Sequence, residues 1–138
     1  MRVTIIYEST RGRTKAMAEA ICEGAISAGA ECAVVDAQNF SGLEGVCALA
    51  VGSSTRMKRV LPIVKRILSE LPELNGLPTA AFGSYGWSGE APDEISARLK
   101  ELGGTQVSEQ PIKAKDYPTE SILVECRSLG EKLAASCS

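Results

Sequence analysis

Apolar residues alternate along the chain between short β-rich runs and longer stretches of helical period, as consecutive β-α units with a parallel sheet do. The first run is Val3 to Tyr7. After a polar loop, Met17, Ile21, Ala25 and Ala28 recur at helical spacing, and Gly29 stops that helix. Cys32 to Val35 forms a second run that ends at Asp36, and Ala37 to Val46 reads as a loop with at most one helical turn. Cys47 to Val51 is an unbroken apolar strand, as expected where both faces of a sheet are covered. Leu61, Val64, Ile67, Leu68 and Leu71 define the next helix, with Pro62 in its first turn. Asn75, Gly76 and Pro78 then break the chain before a strand over Thr79 to Phe82. Ile95, Leu99 and Leu102 share one face of a helix closed by Gly103 and Gly104. Gln106 to Ile112 is more polar, as an edge strand would be, and Thr119 caps a last helix carrying Ile122, Cys126, Leu129 and Leu133. The pattern predicts an α/β domain, with right-handed crossovers placing helices on both faces of a parallel sheet of five strands.

Length and composition narrow the class. At 138 residues the chain suits a single domain spanning 1–138, and 44% hydrophobic with 23% charged residues is ordinary globular usage. A net charge of -2 gives no bulk reason to expect nucleic acid or a membrane surface as partner. No apolar run reaches membrane-spanning length. The five cysteines are scattered without a Cys-x-x-Cys and there is no histidine, which disfavours zinc, haem and iron-sulfur sites. An odd cysteine count and the absence of a signal peptide speak against a secreted disulfide framework and for the cytoplasm. Cys22, Cys47 and Cys126 read as free thiols used as small hydrophobes.

In open parallel sheets ligands bind beyond the carboxyl ends of the strands. The loops there are rich in Ser, Thr and Gly after the first, third and fourth runs. Ser9, Thr10, Arg11, Gly12, Arg13 and Thr14 fill the first βα turn, where a phosphate would meet free amides at a helix N-terminus and several hydroxyls. The alternative for such a loop is an ordinary helix cap. Related phosphate chemistries fit poorly. A phosphatase or arsenate reductase would carry a nucleophilic Cys where Ser9 stands, a response-regulator receiver needs more acids than Glu8 and Asp36, and a Walker loop needs Gly-Lys-Ser/Thr.

The segment Ala81-Phe82-Gly83-Ser84-Tyr85-Gly86-Trp87-Ser88-Gly89-Glu90-Ala91 resembles the flavin loop of the flavodoxin domain in A-type flavoproteins, the flavodiiron proteins. Val51-Gly52-Ser53-Ser54-Thr55 extends the likeness, and Ser9 to Thr14 is similar to the phosphate loop of flavodoxins generally. The resemblance runs from Val3 through the final helix. It implies a flavodoxin-like three-layer sandwich with strand order 2-1-3-4-5 and noncovalent FMN. The phosphate would sit on Ser9 to Thr14. The ring would lie between the second loop, with Ser53, Ser54, Thr55 and Arg56, and the third, with Gly83, Ser84, Tyr85, Gly86, Trp87 and Gly89. Tyr85 and Trp87 offer flat apolar area to a flat ring, the alternative being two aromatics packed under a loop.

The chain departs from the family at two places. Ser54 stands where Gly-Ser-Pro-Thr has proline, followed by Arg56-Met57-Lys58-Arg59, and the connection Ala37 to Val46 is too short for the family's helix. The second helix of the fold is therefore expected to be shortened or missing, leaving a face open or covered by another chain, for which a homodimer is one form. The basic run, with Arg11 and Arg13, would favour negative charge on a reduced flavin and attract an acidic redox partner resembling rubredoxin or ferredoxin. It reads equally as a solvated loop leading into the first turn of a helix. With no histidine the chain cannot supply a diiron centre of the family's kind. The expected function is FMN-based electron transfer between a reductase and a redox partner such as a diiron protein. A small FMN-dependent NAD(P)H:acceptor reductase and a binding module that has lost flavin are the alternatives.

Overall fold

Residues 2–137 are described by the structure, a computed structural model. In chain order the elements are β1 (Arg2–Glu8), α1 (Arg13–Ser27), β2 (Glu31–Asp36) and β3 (Val46–Ser53), with one 3-10 turn at Ala37–Asn39 between the last two. A short hairpin of β4 (Thr55–Arg56) and β5 (Arg59–Val60) precedes α2 (Pro62–Glu70). Then come β6 (Pro78–Tyr85), α3 (Ala91–Glu101), β7 (Thr105–Gln106), β8 (Ile112–Lys115) and α4 (Glu120–Ser136).

The main sheet is parallel, in the order β2-β1-β3-β6, with both β7 and β8 pairing on the outer side of β6. This is the expected 2-1-3-4-5 order with its fifth position divided. One edge strand over Gln106 to Ile112 was the expectation; the structure corrects it to two pieces. Pro111 has no amide to give a ladder, and the chain leaves β6 after the Val107 amide bonds Thr79 (3.0 Å) and rejoins it at Ile112.

Apolar alternation feeds two core layers. Val3, Ile5, Ala48, Ala50 and Phe82 face α1 and α4, while Ile6, Leu49, Val51 and Ala81 face α2 and α3. The central β3 is buried along its whole length, whereas the edge strand β2 is only half covered. Ala28, expected on the buried face of the first helix, instead sits exposed at its C-cap. The shortened second helix is present as the single turn at Ala37–Asn39, beside an open groove of about 400 Å³ along Phe40, Leu43, Ile67 and Leu71.

Helices α1 and α4 touch backbone to backbone. A Cβ on Gly24 would lie 1.9 Å from the Arg127 carbonyl oxygen, and one on Gly130 would lie 1.8 Å from that of Ile21. Glycine is the only residue that fits either crossing point.

The cysteines differ from expectation. Cys22 is bonded to Cys32 and Cys47 to Cys137, and Cys126 remains as a free, buried thiol. Cys126 is thus the buried hydrophobe expected of it, while Cys22 and Cys47 are not free thiols: their partners lie 10 and 90 residues away in sequence and only the folded chain brings them together. The second bridge ties the end of α4 to the start of β3. Burial, with Glu125 beside it, pushes the Cys126 thiol up to about 12, so it stays protonated and unreactive near neutrality.

Alkylation of the unreduced protein is expected to modify Cys126 only after denaturation, and reduction to lower stability by about 2–4 kcal/mol per bridge, read from urea midpoints. Gly130→Ala is expected to lower stability by about 1–3 kcal/mol or more, because neither helix backbone can yield without moving off the sheet. A urea midpoint unchanged in Gly130→Ala refutes the close approach.

Candidate functional site

Parallel pairing brings Glu8 of β1 beside Ser53 of β3, and β6 ends next to them, so three chain reversals open on one side of the sheet. The loops from Ser9 to Gly12, from Ser54 to Leu61 and from Gly86 to Glu90 surround a cleft of about 450 Å³. Thr10, Arg11, Arg13, Ser54, Thr55, Arg56, Met57, Ser84, Tyr85, Gly86 and Trp87 line it.

At its first side, Gly12 is the N-cap of α1 with a φ of 79°, a left-handed conformation that suits glycine. The Gly12 amide donates to Ser9 Oγ (2.9 Å), curling the loop over the helix end. No side chain caps α1, so its first-turn amides keep their donors for an anion at the positive end of the helix dipole. Arg13 bridges to Asp116 (3.5 Å), which holds the phosphate loop to the end of β8.

The second side is the β4–β5 hairpin. Its turn residues Met57 and Lys58 both have positive φ, 51° and 64°. Arg56 pairs with Arg59 across it, so the basic run is a hairpin and not the start of a helix, and α2 begins later at Pro62. The Ser53 hydroxyl holds the hairpin's ends together, donating to the Ser54 carbonyl (2.7 Å) and accepting from the Leu61 amide (3.0 Å). Thr55 Oγ1 accepts from the Ala91 amide (3.1 Å) at the start of α3. Glu8 Oε1 accepts from the Val64 amide (2.8 Å), so this carboxylate serves the first turn of α2.

The third side comes from the end of β6. Gly83, Ser84 and Tyr85 belong to the strand itself, which runs three residues beyond its expected end at Phe82. Gly83 allows the backbone of β6 to pass Ser53, whose carbonyl oxygen would be 2.1 Å from a Cβ. Gly89 packs on the ring of Tyr85, where a Cβ would meet it at 3.0 Å. Beneath the cleft three buried hydroxyls meet: Thr14 Oγ1 lies 2.8 Å from Ser84 Oγ and 3.0 Å from Ser54 Oγ.

The predicted residues thus divide. Thr10, Arg11, Arg13, Ser54, Thr55, Arg56, Ser84, Tyr85, Gly86 and Trp87 face the cleft, whereas Ser9, Gly12, Thr14, Ser53, Gly83 and Gly89 shape it from behind. Met57 was missed. It lines the cleft at the hairpin tip, 87% exposed, and Trp87 is 91% exposed on the third side. An apolar residue inside a run of cations was the available signal. Large apolar side chains this exposed fit a flat ring that covers them, and the uncapped helix end fits its phosphate.

A parallel α/β sheet with an uncapped helix end at its first turn and a cleft at its carboxyl edge, walled by Met57, Tyr85 and Trp87 and ringed by cations and hydroxyls, has the layout of a nucleotide-cofactor-binding domain. The flavodoxin family profile matches residues 5–130, and the chain belongs to the flavodoxin family, whose members bind FMN. The anaerobic nitric oxide reductase flavorubredoxin of Vibrio vulnificus is 35% identical over 96% of this chain, which spans 28% of that protein. A flavodoxin from the domain Archaea has 37% identity and a TM-score of 0.94, with 99% of each chain covered. The flavodiiron protein from Giardia intestinalis gives 28% identity and a TM-score of 0.90, over 99% of this chain and 36% of that one. Among the described residues no helix is long and apolar enough to cross a membrane.

Because Trp87 makes little use of the protein's own core, Trp87→Ala is expected to leave the urea midpoint of the apoprotein nearly unchanged. The same change is expected to weaken FMN binding about tenfold, by loss of ring stacking. An unaltered FMN titration places Trp87 off the ring.

Proposed function

We propose that the chain is an FMN-based electron carrier that receives electrons from a reductase and passes them to a separate, acidic redox protein resembling rubredoxin or ferredoxin, or to a diiron protein. The pairing of a helix end left open for an anion with exposed Met57 and Trp87 across the cleft carries this reading. Bound there, FMN supplies one- and two-electron redox chemistry.

The chain's own residues supply position and charge. Amides of the first turn of α1, with Thr10, Arg11 and Arg13 of the same loop, hold the phosphate, and Met57 and Trp87 shield the ring from water. Arg11, Arg13 and Arg56 line the cleft, Arg13 in an ion pair with Asp116, and Lys58 and Arg59 add positive charge to the hairpin beside it in a chain of net charge -2. Charge of one sign at the mouth of a site steers partners of the other sign and favours electron gain inside it. The open helix end and the exposed Met57 and Trp87 speak against a module that has lost flavin, and the likeness to a flavodoxin over nearly the whole chain favours a carrier over an NAD(P)H reductase.

The reading is tested by reconstituting the purified chain with FMN and recording the visible spectrum and Trp87 fluorescence. A flavin band that co-elutes with protein, with quenching at micromolar FMN, is expected; their absence removes the carrier role. For the partner, neutralising Arg56, Lys58 and Arg59 together is expected to slow reduction of an acidic redox protein and flatten its dependence on ionic strength. An unchanged salt dependence counts against an acidic partner.

A further inference from the structure

At the end of the sheet opposite the cleft lies an open groove of about 410 Å³, and one of the two disulfides, Cys47–Cys137, stands in its wall. Along the extended β3, Cys47 and Ser53 are about 20 Å apart, and the groove and the cleft share no lining residue. Small residues form much of the wall: Ala28, Gly29 and Ala30 from the turn after α1, and Ala134 from α4.

The two sulfurs are placed differently. Cys47 is 7% exposed and held within β3. Cys137 is half-buried and follows α4 as its C-cap, with its amide on the Ala134 carbonyl (3.1 Å). An attacking thiol therefore reaches Cys137, and the buried sulfur of Cys47 is the one that leaves. The other bridge offers no such end. Cys22 lies inside α1 and Cys32 inside β2, opposite Val3 of β1, so a new group on either sulfur has to be forced between a helix and a paired strand. At Cys137 the groove has room for that group, and a helix end yields more readily than its middle.

We propose that the Cys47–Cys137 bridge is a thiol–disulfide exchange site that takes a dithiol through this groove, independently of any flavin. A thiolate of the dithiol bonds to Cys137 Sγ, the bond between the two Sγ atoms breaks, and Cys47 leaves as a thiolate that takes up a proton. The second thiol of the carrier then attacks its own sulfur in the mixed disulfide. That step closes a cyclic disulfide on the carrier and releases Cys137 as a thiol. Two electrons pass from the dithiol to the bridge, and its two protons end on Cys47 and Cys137. A monothiol is at a disadvantage, because Cys47 stays beside the mixed disulfide and attacks it back before a second molecule arrives from solution. The reverse reaction is equally open, since the fold keeps the two Cα atoms 5.2 Å apart. The bridge thus follows the dithiol–disulfide balance around it, and its opening unties the end of α4 from the start of β3.

The test treats the purified full chain anaerobically with dithiothreitol, alkylates it at timed intervals and maps the labelled cysteines by peptide mass spectrometry. Cys47 and Cys137 are expected to be labelled about tenfold faster than Cys22 and Cys32. Simultaneous opening of the bridges, opening of Cys22–Cys32 first, opening only in urea, or labelling of Cys47 and Cys137 with no dithiol present each overturns the proposal. Ala28→Phe, at an exposed position in the groove wall, is expected to slow opening of Cys47–Cys137 about fivefold and to leave Cys22–Cys32 unchanged. An unchanged rate at Cys47–Cys137 shows that the dithiol does not enter by the groove and refutes the site. Should circular dichroism show that Ala28→Phe does not fold, Glu131→Phe fills the same groove from α4 and is read by the same criteria.

Discussion

The parallel pairing of β1 with β3 runs from Val3 beside Ala48 to Glu8 beside Ser53, and the other elements take their places from it. Both strands are buried on both faces, so a slip of one residue would turn Ile5 and Ile6 into each other's core layer and is strongly opposed. Fixed register puts the ends of the two strands level. From that shared end the phosphate loop and the hairpin leave side by side, and the Ser54 amide completes the ladder on the Glu8 carbonyl. Glu8 then caps α2 with its carboxylate, which ties the layer below the hairpin to the same point.

The cleft divides its work between backbone and side chain. The anion side is built of amides at a helix end, which need only Gly12 to turn left-handed and no side-chain cap to compete. Across the cleft stand exposed apolar groups, Met57 and Trp87, on a hairpin and a loop whose neighbouring elements are tied together by the Ser53 and Thr55 hydroxyls. Hydroxyls do most of that bonding. Ser9, Ser53 and Thr14 spend their hydrogen bonds inside the protein and stand behind the cleft, while Thr55 lines it and still accepts from the Ala91 amide.

Much of this was legible in the sequence because it depends on local pattern. The unbroken run at Cys47 to Val51, the helical spacing from Leu61 to Leu71 and the Thr119 cap each report their own surroundings. What escaped depends on contacts distant in sequence or on conformations without a residue signature. A tight hairpin at Met57-Lys58 carries none of the Asn-Gly or Asp-Gly chemistry by which such turns announce themselves. The bridge from Cys47 to Cys137 joins residues 90 apart, and the hydroxyl of Ser54 finds Thr14 only once both loops are in place. At the cleft, sequence indicated which loops take part, but whether a given Ser or Thr faces ligand or neighbour was set by the fold.

The glycine contacts between α1 and α4 bear on how the chain comes into being. Helix α1 is made early, at Arg13–Ser27, but the surface that Gly24 and Ile21 present is covered only by α4, the last element. During synthesis the strip of α1 that meets α4 therefore waits uncovered until α4 has emerged, although the strands of the sheet can cover the rest of its apolar side earlier. Closure joins two helices far apart in sequence, and such distant pairing is slow. Until it happens the nascent chain presents the kind of surface that chaperones recognise and that other nascent chains can capture.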